Sequence, residues 1–325
     1  MIEDQLRKIV GERLLLNEPL SRHVNFRIGG PADFFVEAKT KDEIAELLRV
    51  IIENKQKYFI LGGGANLLVA DQGFRGLVIK IACREFSFHD NRLTADSGAP
   101  MSLLAREAAN RGLVGIEWAI GIPGTLGGAV RGNAGSFNGE IKDSIESVEA
   151  LFAEDNRIER RWLKRDECGF GYRDSIFKRI EPAPVILSAD FALKNGKAEE
   201  IMARQSEIME KRKGHQPLNF SSAGCVFKNI ELTGAEDLSK LKQDADIPEN
   251  FIAKKRIPAG WLIEQAGLKG TSVGQARVSD EHGNFCLNMA QATAAEVVEL
   301  VSLVKTRIRD RYGLELKEEI QYLGF

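Results

Sequence analysis

Apolar residues recur along this chain with two periods, and the switches between them outline its elements. Ile2, Leu6, Ile9 and Val10 share a helical face, which predicts a first helix ending near Gly11. Residues 34–37 read as a strand. Thr40 and Glu43 stand in capping-box spacing ahead of Ile44, Leu47, Leu48, Ile51 and Ile52, so a second helix is expected there. Residues 58–61 and 77–81 are apolar runs of strand length and complete a β-α-β unit.

From Cys83 the pattern changes. Short strands are expected at 92–95, 147–153, 157–162 and 185–193, with a helix at 102–111 and tight turns at Asp155-Asn156 and Asn195-Gly196. A long helix from Ala198 to about Lys213 leads out of this α+β region. The last region predicts a strand at 223–228, a polar insert to about Arg256 and a helix near 261–266. A long helix follows, capped by Thr293 and Glu296 and ended by Gly313, and then a strand at 319–323. The expected divisions are 1–82 (α/β), 83–212 (α+β) and 213–325.

A chain of 325 residues exceeds one ordinary core, in keeping with several domains. The net charge of -2 and pI near 6.2 leave no electrostatic footprint for nucleic acid. The triplet Lys211-Arg-Lys213 alone reads as a solvated helix end. Cys83, Cys168, Cys225 and Cys286 are far apart, with no C-x-x-C pair and no His-Glu-x-x-His, so neither a metal site nor a disulfide scaffold is expected. No apolar run has membrane-spanning length, and the amphipathic N-terminus is unlike a signal peptide. A reducing cytoplasm is the expected compartment, with no membrane partner.

The candidate chemistry lies in two glycine loops. Residues 121–135 hold six glycines among fifteen residues, and Gly62, Gly63 and Gly64 directly follow the apolar run at 58–61. Glycine inside a domain costs backbone entropy, and close approach of backbone to a flat or polyanionic ligand is the usual reason for it. Two such loops suit a ligand long enough to be held at two places. Neither carries a P-loop lysine or the Gly-x-Gly-x-x-Gly fingerprint of a doubly wound sheet. The residues alone leave open tight structural turns or a binding role for such a ligand.

Seven motifs in order resemble the UDP-N-acetylenolpyruvoylglucosamine reductase family. They are Asn25-Phe-Arg-Ile-Gly-Gly30, the Gly62 loop, the Gly121–Gly135 loop, Gly171-Tyr-Arg-Asp-Ser175, Ala223-Gly-Cys-Val-Phe-Lys-Asn229, the run from Ala259 to Gly270, and Glu319-Ile-Gln-Tyr-Leu-Gly324. The resemblance implies a mixed α/β and α+β fold: a two-lobed FAD-binding domain of the vanillyl-alcohol-oxidase (PCMH) type plus a C-terminal α+β substrate domain. It also implies that the last strand, within 316–325, returns to the first lobe. FAD would be bound, with NADPH as co-substrate. Cofactor contacts would come from Gly62, Gly63, Gly64, Ala65, Asn66 and Leu67, and from Gly121, Ile122, Pro123, Gly124, Gly127, Gly128, Ala129, Asn133 and Gly135.

By the same resemblance the enzyme reduces the enolpyruvyl group of UDP-N-acetylenolpyruvoylglucosamine to give UDP-N-acetylmuramate in peptidoglycan precursor synthesis. Hydride addition to an electron-rich enol ether needs its carboxylate polarised and a proton delivered to the neighbouring carbon. Arg173 and Glu319 match the polarising pair, and Cys225 the proton donor, where many relatives have serine. A thiol is a stronger acid than an alcohol and stays mostly protonated at neutral pH. Asp174 as an ion-pair partner of Arg173 is the structural alternative. Tyr172, Lys213, Asn229, His282 and Asn284 fall at substrate-binding positions, with Arg212 as the alternative to Lys213. The tyrosine-bearing loop that some relatives close over the substrate has no counterpart between Arg173 and Lys213. The expected working form is a monomer. Another FAD oxidase or dehydrogenase of this fold, acting on a sugar or hydroxyacid, is the competing reading.

Overall fold

In the computed structural model, which describes residues 1–154, 157–217, 219–234 and 238–325, the Thr40 hydroxyl accepts from Glu43 N at 3.1 Å. This cap starts the helix Lys41–Glu53, whose Ile44, Leu47, Leu48 and Ile51 are buried as their spacing predicts. The first helix, Ile2–Val10, ends at Gly11 with φ +59°. Both helices pack on a four-stranded sheet in the order Leu15–Pro19, Pro31–Ala38, Phe74–Ile81, Tyr58–Leu61. The last two strands run parallel. The expected β-α-β unit is modified here. The strand after the helix does not neighbour the strand before it, because Phe74–Ile81 lies between them.

A five-stranded antiparallel sheet follows, ordered Arg157–Lys164, Ile145–Glu154, Val185–Ala192, Arg92–Asp96, Phe86–His89. Its central strands bury both faces. Val148, Ala150, Ile186 and Ala189 pack with the helix Met101–Asn110, while Leu151, Val185 and Leu187 join the core of the first sheet. That explains their nearly unbroken apolar runs. Charges on the edge strand Arg157–Lys164 blunt it against further pairing. The turn expected at Asp155-Asn156 lies outside the described residues. Asn195 is not in a turn but pairs with Leu113, and Gly196 N donates to Gly112 O.

Two compact units divide the chain. One comprises Met1–Glu18, Ala32–Gly63 and Arg75–Arg212, and the other Pro19–Pro31, Gly64–Phe74 and Lys213–Phe325. The second unit is built around the helix Ala294–Tyr312, whose capping box at Thr293 and Glu296 and left-handed Gly313 both form. Its core gathers Leu262, Ile263, Val297, Leu300, Val304 and Tyr312. The strand Gln321–Leu323 pairs in parallel with Leu67–Val69. The expected strand at 223–228 is absent as such. Only isolated bridges form, Cys225 with Phe285 and Phe227 with Glu318, because the segment is clasped between two others at single points. The described part of the polar insert includes the helices Ser239–Asp244 and Glu249–Ala253, between paired strands Ile230–Glu231 and Arg256–Ile257.

Candidate active site

In the first unit the two glycine loops meet backbone to backbone. A Cβ on Gly63 would lie 2.7 Å from Gly124 Cα, and one on Gly62 would lie 2.6 Å from Thr125 Oγ1. The 121–135 loop hangs from the segment before the helix Met101–Asn110: Met101 N donates to Gly124 O, Leu126 N to Ala99 O and Gly127 N to Ser97 O. A Cβ on Gly127 would press on Ser97 Cβ at 2.9 Å. Gly121 and Gly124 are left-handed, at φ +71° and +109°. These glycines are explained by packing and conformation.

Gly128 is explained by neither. It sits in the helix Leu126–Arg131, it is exposed, and a Cβ there meets nothing closer than Thr125 Oγ1 at 3.9 Å. A glycine inside a helix costs about 1 kcal/mol against alanine, so open space beside it marks a surface that something approaches. Thr125 precedes this helix, yet its hydroxyl makes no capping bond. Thr125 Oγ1 and Ser97 Oγ are shut off from solvent and have no hydrogen-bonding partner among the described residues. Two orphaned hydroxyls beside a bare helical glycine fit the phosphate-bearing part of a dinucleotide such as FAD. Sequence reasoning passed over both hydroxyls, although Thr125 stands where a capping threonine precedes a helical run.

Nearby in this unit, Arg173 sits on a tight turn. Gly171 N donates to Asp174 O at 3.0 Å, Asp174 N returns to Gly171 O at 3.3 Å, and Arg173 has φ +53°. A left-handed arginine is uncommon and needs support. Support comes from Arg173 Nη2 to Gly135 O at 2.7 Å, Lys178 Nζ to Arg173 O at 2.8 Å, and Ser175 Oγ to Arg131 O at 2.7 Å. The guanidinium lies 5.4 Å from the centre of the Tyr172 ring. The Asp174 carboxylate is engaged by Arg179. Asn133 is fully buried at φ +40°, and its side-chain amide is spent on protein atoms, Glu140, Gly171 and Lys142. Arg212 is buried, donates to Ser136 Oγ at 3.2 Å and covers Phe137.

The second unit holds Gly64, Ala65, Asn66 and Leu67 together with Cys225 and Glu319. Gly64 is left-handed, and a Cβ there would strike His23 O at 2.3 Å. Asn66 Nδ2 donates to Glu319 O at 3.0 Å, and Gln321 N to Asn66 O at 3.0 Å. Glu319 N donates to Val226 O at 2.7 Å, so Glu319 lies on a segment hydrogen-bonded to the residue after Cys225. Cys225 is half-buried, whereas Cys83, Cys168 and Cys286 are buried and pushed up by desolvation to about 11, 12 and 12. Cys225 is thus the least buried of the four thiols.

Asn284 clasps the Cys225 segment. Its Oδ1 accepts from Phe227 N at 2.9 Å, its Nδ2 donates to Phe227 O at 2.8 Å, and its carbonyl accepts from Val226 N. The expected substrate amide is therefore committed to backbone. His282 Nδ1 accepts from Asn284 N, its ring packs edge-on against Phe285, and burial holds its pKa below the usual histidine value. Asn229 Oδ1 accepts from Ala259 N at the start of the helix Ala259–Gln265. Lys213 is exposed on the helix Ala198–His215. Clefts of about 750 and 570 Å³ in this unit are lined by other residues, among them Val298 and Arg307, and Arg27 and Asn288. Among the described residues, no helix is long and apolar enough to cross a membrane, and no three His, Cys, Asp or Glu side chains gather as metal ligands would.

The fold and the glycine cradle suit an FAD-binding oxidoreductase of mixed α/β class. Residues 32–160 match the FAD binding domain family, and residues 216–323 match the UDP-N-acetylenolpyruvoylglucosamine reductase C-terminal domain. The UDP-N-acetylenolpyruvoylglucosamine reductase of Caldanaerobacter subterraneus subsp. tengcongensis is 37% identical over 326 residues, covering 100% of this chain and 98% of its own. That of Clostridioides difficile is 36% identical over 315 residues, with 96% and 94% covered. The crystal structure of the enzyme from Thermus caldophilus superimposes with a TM-score of 0.72 at 35% identity, covering 95% of this chain and 98% of that one. The chain belongs to the UDP-N-acetylenolpyruvoylglucosamine reductase family.

Proposed function

We infer that this chain uses NADPH and bound FAD to reduce the enolpyruvyl group of UDP-N-acetylenolpyruvoylglucosamine to UDP-N-acetylmuramate, and that Arg173, Cys225 and Glu319 serve the step at the substrate. Bound FAD supplies the hydride relay between NADPH and the substrate. Gly62, Gly63, Gly124, Thr125 and Gly128 are proposed to hold its pyrophosphate region, with Gly64–Leu67 and the loop residues Gly121, Ile122, Pro123, Gly127, Ala129 and Gly135 completing the contacts, while the committed amide of Asn133 takes no part.

The chain's own part is electrostatic and acid–base. The planar Arg173 guanidinium receives the substrate carboxylate with both oxygens and stays charged as negative charge builds there. Glu319 is proposed to work beside the same carboxylate, which only its acid form can meet as a hydrogen-bond donor. Cys225 Sγ–H delivers the proton to the carbon next to the one that receives hydride. The double bond becomes a single bond with one hydride and one proton added, and NADPH leaves as NADP⁺. Tyr172, Lys213 and Asn229 are proposed to meet the UDP-sugar. Asn284 acts through the Phe227 backbone that it clasps, and His282 through Asn284.

The observation that carries this reading is the bond from Glu319 N to Val226 O at 2.7 Å, because it ties the proposed carboxylate partner to the segment of the one half-buried thiol. We propose a single chain in the cytoplasm as the working form, with a monomer's mass in sedimentation. The test is anaerobic turnover. Beyond the one equivalent that reduces the bound flavin, NADPH should be consumed only when the enolpyruvyl sugar is present, and the product should gain the mass of two hydrogens. Consumption that needs oxygen and ignores the sugar would favour an oxidase of the same fold.

A further inference from the structure

Asn133 sits inside a glycine loop, where a ligand contact is the obvious role, but its geometry points elsewhere. It is 0% exposed and left-handed. Nδ2 gives one hydrogen to Glu140 Oε2 at 2.6 Å and the other to Gly171 O at 2.8 Å, and Oδ1 accepts from Lys142 N at 3.0 Å. Gly171 opens the turn that carries Arg173. Arg173 reaches back to Gly135 O, two residues past Asn133. The turn and the loop are thus tied by the Asn133 amide and by the guanidinium itself, with the bond from Ser175 Oγ to Arg131 O beside them. Glu140 is steadied by Lys142 Nζ at 2.8 Å, and Gly139–Glu140 pairs with Gly135–Ser136.

We propose that Asn133 is a positioning residue for Arg173: its amide, braced by Glu140, fixes the left-handed turn that aims the guanidinium at the substrate carboxylate. This rests on the reading of Arg173 given above. A strained turn keeps its conformation only when its surroundings hold it. Asn133 supplies that hold through bonds for which no other side chain type has the same pair of donors and acceptor in the same shape.

Asn133→Asp keeps the shape, removes both donors and turns a negative charge toward Glu140 and the Gly171 carbonyl. Protein loaded with FAD is reduced with NADPH and then mixed with the enolpyruvyl sugar, without oxygen. Bleaching by NADPH should stay within about twofold of wild type, while recolouring by the sugar slows about tenfold to a hundredfold. The decisive readout is the cycle with Arg173→Ala. If Asn133 acts through Arg173, Asn133→Asp adds nothing to the recolouring defect of Arg173→Ala. Multiplied defects, or wild-type recolouring in Asn133→Asp alone, overturn the proposal while the role of Arg173 stands. Wild-type recolouring in Arg173→Ala overturns the reading beneath it. Should Asn133→Asp give no soluble protein, Glu140→Ala loosens the brace from its half-buried side. It should show the same pattern at smaller size, and unchanged recolouring there overturns the proposal.

Discussion

In the first unit Arg173 stands on a left-handed turn gripped by side chains, whereas in the second unit Cys225 stands on an extended segment gripped largely by backbone. Around Arg173 two backbone bonds between Gly171 and Asp174 close the turn, and side-chain bonds from Asn133, Lys178, Ser175 and the arginine itself hold it. Around Cys225 they run from Val226 N to Asn284 O, from Lys228 N to Lys317 O and from Glu319 N to Val226 O, and the Asn284 side chain adds a clasp on the Phe227 backbone. A side-chain grip can be cut by one substitution without unfolding anything. A backbone grip survives substitution of the residue it carries. Changes at Cys225 should therefore report chemistry, and changes around Arg173 should report geometry.

Cys225→Ala breaks the comparison most sharply. It should leave bleaching by NADPH intact and slow product formation about a hundredfold to ten-thousandfold, the range for loss of a positioned acid. Cys225→Ser should keep substantial activity, since the hydroxyl stands on the same backbone. Peroxide should inactivate the wild type more than the serine variant, and bound substrate should protect it. Wild-type turnover in the alanine variant would make Cys225 packing only. Arg173→Ala comes next, with reoxidation by substrate slowed about a hundredfold or more and reduction by NADPH spared. Equal damage to both halves would mean the loop had moved.

A third contrast lies within the flavin cradle. Gly63→Ala drives a Cβ toward Gly124 backbone at 2.7 Å, an overpacking that should cost about 1–3 kcal/mol of stability. Gly128→Leu meets open space, so the apoprotein should melt no lower than wild type while its flavin content falls. Full flavin in a folded Gly128→Leu protein would remove Gly128 from the site. The smallest effect is with pH. Burial lowers the His282 pKa below 6.5, so the unfolded chain binds that proton more readily than the folded one. This contribution to stability is full above 6.5 and declines as pH falls toward the folded value. His282→Gln should flatten the melting temperature between pH 7 and pH 5.5, and an unchanged slope there would assign it to other groups.

What the sequence made legible was local. The caps at Thr40 and Thr293, the left-handed end at Gly313 and the apolar spacing of the long helices need only a few neighbours, and they formed. The glycine loops were visible, but not which glycines answer to packing and which to a ligand. That division depends on Gly124 lying against Gly63 and on a Cβ at Gly128 meeting nothing closer than Thr125 Oγ1 at 3.9 Å. The Asn133 brace joins residues 38 apart, and the Asn284 clasp joins residues 57 apart, so neither leaves a periodic trace. Glu149 is similar. It is buried in a sheet with Lys41, Arg160 and Ser188 as partners drawn from three other strands or helices, and it reads in sequence as one more strand charge.

The most direct test of the central claim is a single anaerobic cycle on the purified protein, followed by visible flavin absorbance. One equivalent of NADPH should bleach the bound flavin, and one equivalent of UDP-N-acetylenolpyruvoylglucosamine should then restore the colour completely, with UDP-N-acetylmuramate as the product. Flavin that bleaches but recolours only when air is admitted would contradict the account.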